Sequence, residues 1–350
     1  MRRTWTISAT CLLACAGCRS RDATPPKPTP RSEIAVSAEP ELPRPGHASL
    51  ALSGAFAAAV EGDGTSCGDQ AFFIGSAELD GPKARPRWSL NVFAQRPGDW
   101  TAALSISPDD SEGDPKTYVW KGAAAAPHLV VSSSGAKVAL TLAGIAGGQV
   151  KVVGDLRCPV FPTEAVPEAI RSLLSRHAGS AARPYSTVDF GRAHDPGAAS
   201  AIVRGDATLV ESKLRDLRQS LPPGWVAFLG TSQFLGDERW PSDSVELVVA
   251  PGSGPLDILR IARTDAVNYG LQTEALIRAL AEWDRAWGID VIHAETDTIE
   301  LALTRMPPDL SSFAREVYAL CPDLVDQGTG SIEALQQEIA TRRRVFLWWD

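Results

Sequence analysis

Thr273-Glu-Ala-Leu-Ile-Arg-Ala-Leu-Ala-Glu-Trp-Asp-Arg-Ala-Trp-Gly288 sets Leu276, Leu280, Trp283 and Trp287 along one side of a helix that Thr273 is expected to cap and Gly288 to end. Shortly after, Ile299-Glu-Leu-Ala-Leu303 alternates apolar and polar residues with period two, the mark of a half-buried strand. The change of period within so short a stretch indicates a domain in which helices pack on a sheet. Working outward, Asp206 caps a helix whose Val210, Leu214, Leu217 and Leu221 share a face, stopped by Pro222-Pro223. Residues 225–229, 245–250 and 257–262 are expected as strands, with a further strand around Val291. Leu310, Phe313, Val317 and Leu320 line another helix, closed by Pro322. Ser331 caps a last one, with Ile332, Leu335 and Ile339 inward and Arg342, Arg343 and Arg344 at its end, where cations suit the helix dipole. Residues 345–349 then form a closing strand. The spacing therefore predicts an α+β domain over residues 206–350, with an antiparallel or mixed sheet and packed helices.

Three motifs inside this region agree in order: Asp265-Ala-Val-Asn-Tyr-Gly270, Cys321-Pro-Asp-Leu-Val-Asp-Gln-Gly-Thr-Gly330 and Phe346-Leu-Trp-Trp-Asp350. On these residues the stretch from about Leu214 to Asp350 resembles the bacterial domain-of-unknown-function 4253 family. The resemblance implies an extent and a set of motif residues, and no activity.

Upstream, residues 46–160 read as all-β. Alternation recurs at Trp88, Leu90 and Val92 and at Val138, Leu140 and Leu142, with turn-forming clusters between the runs. Seven or eight strands would close a β-sandwich or barrel. The Gly64-Thr-Ser-Cys67 turn and the strand ending in Arg157-Cys158 are similar to the small β-domain of actinobacterial lipoprotein antigens. Residues 161–205 read as one short amphipathic helix, carrying Ile170, Leu173, Leu174 and His177, followed by a linker rich in Gly, Ala, Ser and Pro.

The first residues read as a targeting segment. Met1-Arg2-Arg3 supplies a positive start, and the apolar run to Ala14 is too short to span a bilayer as a mature helix. With Leu12-Leu-Ala-Cys15-Ala-Gly-Cys18 it resembles a lipoprotein signal over residues 1–18, with lipid on Cys18 or, alternatively, on Cys15. Residues 19–45 are rich in Pro and favour an extended stalk. The expected location is the cell envelope, periplasmic or on the outer surface, held to the membrane through the lipid. Export makes a Cys67 to Cys158 disulfide the economical pairing and leaves Cys321 alone.

The chain has 350 residues, 44% of them hydrophobic and 22% charged, with a formal net charge of −8. That suits about two globular domains. Without a long basic run, no nucleic-acid partner is expected.

No Gly-x-Ser-x-Gly elbow, phosphate-binding loop or His-Glu-x-x-His helix occurs. His293-Ala-Glu295 lacks the Pro-Cys-x-x-Cys partner of a zinc deaminase. No metal site and no cofactor are expected. What remains is a polar set on two loops: Asp265, Asn268 and Tyr269 on one, Asp323, Asp326, Gln327 and Thr329 on the other. These are the candidate ligand-binding residues, and their acidity favours a protein, a peptide or a small neutral or cationic ligand. The bland reading of the same residues is caps and turns, with Asp326 bonding backbone N–H groups. Three functions fit. One is an envelope-anchored binding or interaction module. A second is a hydrolase dividing acid and base work among Asp265, Asp323 and Asp326. A third is a toxin-neutralising, immunity-type protein.

Overall fold

Period-two apolar patterning makes strands with one greasy face, and such strands must bury that face against something. In the computed structural model this happens twice. The structure describes residues 40–68, 71–75, 87–96, 98–107, 115–125, 127–162, 164–187, 197–232 and 244–349. The expected signal segment with Cys15 and Cys18, most of the Pro-rich stretch and Asp350 lie outside the described residues.

The first sheet contains β1 (His47–Gly54), β2 (Ala58–Asp63), β3 (Ser66–Gly68), β4 (Ala71–Gly75), β5 (Arg87–Arg96), β6 (Asp99–Ser107), β7 (Lys116–Gly122), β8 (Leu129–Ser132), β9 (Gly135–Gly144) and β10 (Gln149–Arg157). Its order is β2-β1-β10-β9-β7-β6-β5-β4-β3, with β8 paired to β9. The pairings are antiparallel, and the sheet curls into a half-barrel. Ten strands in one sheet replace the seven or eight expected. The alternation itself reads true, because Trp88, Leu90, Val92, Val138, Leu140 and Leu142 all point into the core. Gly154 permits the close pairing of β10 with β1: its φ is 148°, and a Cβ there would lie 1.9 Å from the Ser49 carbonyl oxygen. The Cys67–Cys158 disulfide ties the β3 end of the sheet to the residue after β10, with Cα atoms 5.5 Å apart.

The second sheet is mixed and has helices on both faces. Its strands are β11 (Arg183–Pro184), β12 (Ala199–Arg204), β13 (Trp225–Leu229), β14 (Ser244–Pro251), β15 (Ile289–Ala294), β16 (Thr298–Leu303) and β17 (Arg344–Trp348). The order is β11-β12-β14-β13-β15-β16-β17, and only β13 and β15 run parallel. The helices are α1 (Glu168–Ala178), α2 (Ala207–Ser220), α3 (Asp257–Ala262), α4 (Thr273–Trp287), α5 (Leu310–Leu320) and α6 (Ile332–Arg342). Helices α1 and α2 pack on each other and on β12 to β14. Helices α3 to α6 share a core with Phe228, Val248 and Ala250. Coverage on both sides explains why β14 is buried at nearly every position rather than alternating.

The caps expected at Asp206 and Ser331 are in place, accepting from the N–H groups of Leu209 and Ala334 at 2.9 and 3.1 Å, whereas Thr273, expected as a cap, is the first helical residue and Gln272 takes the N-cap position without a side-chain bond. Two local readings change. Residues 257–262 are a helix, not a strand. Ile258, Leu259, Ile261 and Ala262 are all buried, so the run has no periodicity to reveal its type. The Asp257 carboxylate braces the turn ahead of the helix, accepting from the Ser253 N–H and hydroxyl at 2.7 and 2.9 Å. The stretch after α1, expected as linker, supplies β11 and β12 to the second sheet. There, the small residues of Ala199-Ser-Ala-Ile-Val203 are buried between β11 and β14.

Candidate functional site

The sequence-derived polar residues separate into two places. Asp323 is 5% exposed and sits where α5 ends. The chain then makes a single turn of π-helix, Leu324–Thr329, which Gly330 closes with φ 79°. Tyr269 belongs to a turn of 3₁₀-helix just ahead of α4. Its hydroxyl donates to Asp323 Oδ1 at 2.6 Å, and Gln327 Nε2 donates to the same oxygen at 3.0 Å. That bond to a carboxylate pushes the Tyr269 hydroxyl up to about 12. Asp326 is exposed, and the bond to its carboxylate comes from the Tyr318 hydroxyl at 3.3 Å. The backbone N–H bonds expected for its side chain are absent, because the π-turn directs it outward instead. The Thr329 hydroxyl reaches the carbonyls of Leu324 and Ser331. Asn268 is exposed. Tyr269, Asp323 and Gln327 therefore form one satisfied cluster that ties the two motif loops together.

Asp265 goes elsewhere. Its backbone N–H is anchored on the Thr296 carbonyl at 2.8 Å, and the residue lines a cavity of about 600 Å³. Neither Asp323 nor Asp326 is among the lining residues. The cavity is a cleft between the rim of the first sheet and the second domain. Thr65, Cys67, Phe72 and Cys158 come from the rim, Phe161 from the connecting segment, and Arg260, Arg263, Gln272, Thr273 and Glu274 from the far wall. The two walls are joined directly, since Arg278 Nη1 donates to the Asp63 carbonyl at 3.1 Å.

Charge on the far wall is arranged rather than diffuse. Glu274 takes both Nε and Nη2 of Arg260 at 2.7 and 2.9 Å, and Asp257 takes Nη1 at 2.9 Å. Arg260 is thus neutralised in place. Arg263 has left-handed φ, 53°, which carries its guanidinium over the Phe161 ring at 4.8 Å. Thr65 is 3% exposed, and its hydroxyl has no hydrogen-bond partner. Such a group ordinarily finds a protein partner, a water or a ligand.

Two other chemical groupings complete the picture. His293 Nε2 lies 2.9 Å from both the Gly230 carbonyl and Glu295 Oε1, and the Ser232 hydroxyl donates to that same carboxylate at 2.8 Å. Burial alone would raise the Glu295 carboxyl, but the bonds from His293 and Ser232 hold it below its ordinary value. The Ser232 hydroxyl bonds to the carboxylate and not to the imidazole, so no serine–histidine pair is formed there. Cys321 is fully buried, with its thiol donating to the Trp348 carbonyl at 2.9 Å. Burial pushes it up to about 11, far from the thiolate that a nucleophile requires. Trp349 is in the core, its indole N–H on the Leu320 carbonyl at 3.1 Å.

The cleft residues Phe161, Arg263 and Gln272 belong to no motif that the sequence offers, and Thr65 belongs to one only as part of a turn. The one available signal was the Gly64-Thr-Ser-Cys67 turn, whose disulfide fixes the rim beside the cavity.

Residues 246–350 match the model of a domain of unknown function (DUF4253). The match begins inside β14, so it covers less than the stretch from Leu214 that the motifs implied, and it leaves the half-barrel unmatched. No curated protein and no solved structure matches the chain.

Proposed function

We propose that the protein is an envelope-anchored lipoprotein acting as a binding or interaction module, with its ligand held in the cleft between the half-barrel and the second domain. The observation that carries this reading is the cleft itself. At about 600 Å³, it falls within the range of small-molecule sites, and both domains contribute polar side chains to it. It is also where the first family motif, through Asp265, meets the β domain. The anchor rests on the Met1-Arg2-Arg3 start, the short apolar run and Cys18 or Cys15. Residues 19–45 would then hold the folded part away from the membrane.

The competing hydrolase reading requires Asp265, Asp323 and Asp326 to work on one substrate. Asp323 is held by Tyr269 and Gln327, Asp326 by Tyr318, and neither lines the cleft. The geometry favours binding.

Two measurements test the proposal. A metabolite and peptide screen on the full chain should find a compound that raises the melting temperature with increasing concentration. A screen in which nothing does so contradicts the binding function. Separately, Cys18→Ala and Cys15→Ala variants should show which cysteine keeps the protein in the membrane fraction. Retention of the doubly substituted chain would overturn the anchor.

A further inference from the structure

We propose that a second copy of this chain pairs with β17 along its outer edge, antiparallel and about a two-fold axis at Val345. Strand β17 ends the second sheet, and among the described residues β16 is the one strand paired with it. The register fixes which backbone groups are left over. The Leu303 N–H donates to the Arg343 carbonyl and the Trp349 N–H to the Asp297 carbonyl. Residues 343, 345, 347 and 349 therefore turn their backbone groups towards β16, and Arg344, Phe346 and Trp348 turn theirs outward. Trp348 is already served: its N–H donates to Cys321 Sγ at 3.3 Å, and the Cys321 thiol donates to its carbonyl at 2.9 Å. What stays open is the N–H and carbonyl of Arg344 and of Phe346. Groups spaced in this way are a template for another strand.

The side chains supply a second and separate observation. Leu347 and Trp349 of the closing motif are buried, whereas Phe346 of the same motif is 43% exposed. Alternation puts its ring on the face opposite the core that α3 to α6 share with the sheet. Single exposed apolar side chains are ordinary on a monomer, but this one stands on the open edge itself.

Symmetry selects the occupant. The two open positions flank Val345, one on each side. An antiparallel copy sets Arg344 of each chain against Phe346 of the other, and each of these pairs exchanges both backbone bonds. Shifting the register by two residues would oppose an open position with Trp348, which Cys321 holds, or with Arg342, which lies in α6. Opposed side chains share a face. The Arg344 guanidinium is fixed by Glu211 at 2.7 and 2.6 Å and by Glu300 at 2.9 Å. It presents a held plane beside the Phe346 ring of the other copy, a favourable cation–π pairing made twice across the axis.

The test is sedimentation of the full chain in detergent over a range of protein concentrations, with the micelle's share subtracted. The wild type should have the mass of two chains at high concentration and of one on dilution. Phe346→Glu should remain a single chain throughout, with its melting temperature unchanged. Ile145→Glu, at a position 79% exposed on the half-barrel, should pair as the wild type does. Hydrogen exchange of the wild type, read residue by residue, gives a second measurement that needs no variant. The amides of Arg344 and Phe346 should exchange slowly at high concentration and rapidly on dilution, while those of Val345 and Leu347 stay slow at both. A single chain at every concentration would overturn the proposal and leave the edge to a strand of some other protein. So would a two-chain mass that survives Phe346→Glu, or Arg344 and Phe346 amides indifferent to concentration.

Discussion

The hydroxyl of Tyr269 and the buried carboxylate of Asp323 meet at 2.6 Å across 54 positions of sequence. The two residues belong to different motifs, so this bond is what makes those motifs one structural unit. Asp323→Ala should cost about 2–3 kcal/mol, because the tyrosine hydroxyl and the Gln327 amide both lose their acceptor. Tyr269→Phe should destabilise in the same direction but by less, since Gln327 still serves the carboxylate. Asp326→Asn should leave the denaturation midpoint unchanged. Urea titration of the three variants checks the order, and an Asp326 effect as large as that of Asp323 would contradict it.

The same bond has a signature at high pH. Tyr269 is raised from its ordinary value of 10.0 to about 12. For an acid raised in the folded state, the stabilisation is complete below the unfolded value and is lost as pH climbs through the folded one. Stability should therefore fall between about pH 10 and 12, and the fall should be shallower in Tyr269→Phe. Equal slopes in the two proteins would remove this linkage.

His47 joins β1 to β2. Its ring nitrogens lie 3.1 Å from Asp63 Oδ1 and 3.0 Å from Glu61 Oε1, and these bonds, Asp63 first, raise it above 6.5. The contribution is fully present below that unfolded value and disappears as pH rises through the raised folded one. Wild-type protein should lose stability relative to His47→Gln across near-neutral pH, measured by denaturant midpoints at stepped pH. A constant difference between the two would show that the ring makes no charged contact.

The disulfide closes a separation of 91 residues. In the chain-entropy description, Cys67→Ser should cost about 4 kcal/mol, concentrated in the half-barrel. Because both cysteines line the cleft, the loss should also weaken any ligand bound there. Unaltered melting under non-reducing conditions would remove the bond from the account.

Cys321 should be inert in the native protein. With the thiol pushed up to about 11 and fully buried, alkylation by iodoacetamide at neutral pH should be slow until denaturant is added. Rapid native modification, followed by mass spectrometry, would reopen a nucleophilic role.

Much of this architecture was legible in the sequence. The α4 stripe and the β16 alternation are amphipathic, so periodicity alone gave their type and inward face. Helix α3 reads as a strand because burial all round erases periodicity, and β11 and β12 read as linker because small residues also suit linkers. The polar loop residues were found by motif, but sequence could not divide them. Asp265 faces the cleft through its anchorage on Thr296, whereas Asp323 is drawn inward by Tyr269. The cleft itself was invisible, since Thr65 and Thr273 come together only when both sheets have folded and docked.

Hydrogen exchange on the full chain, with and without the compound that most raises its melting temperature in the screen, tests the central claim most directly. Protection is predicted at the start of α4 and around Thr65, with no change across residues 323–330. Protection confined to residues 323–330, with the α4 start and Thr65 unaffected, would contradict it.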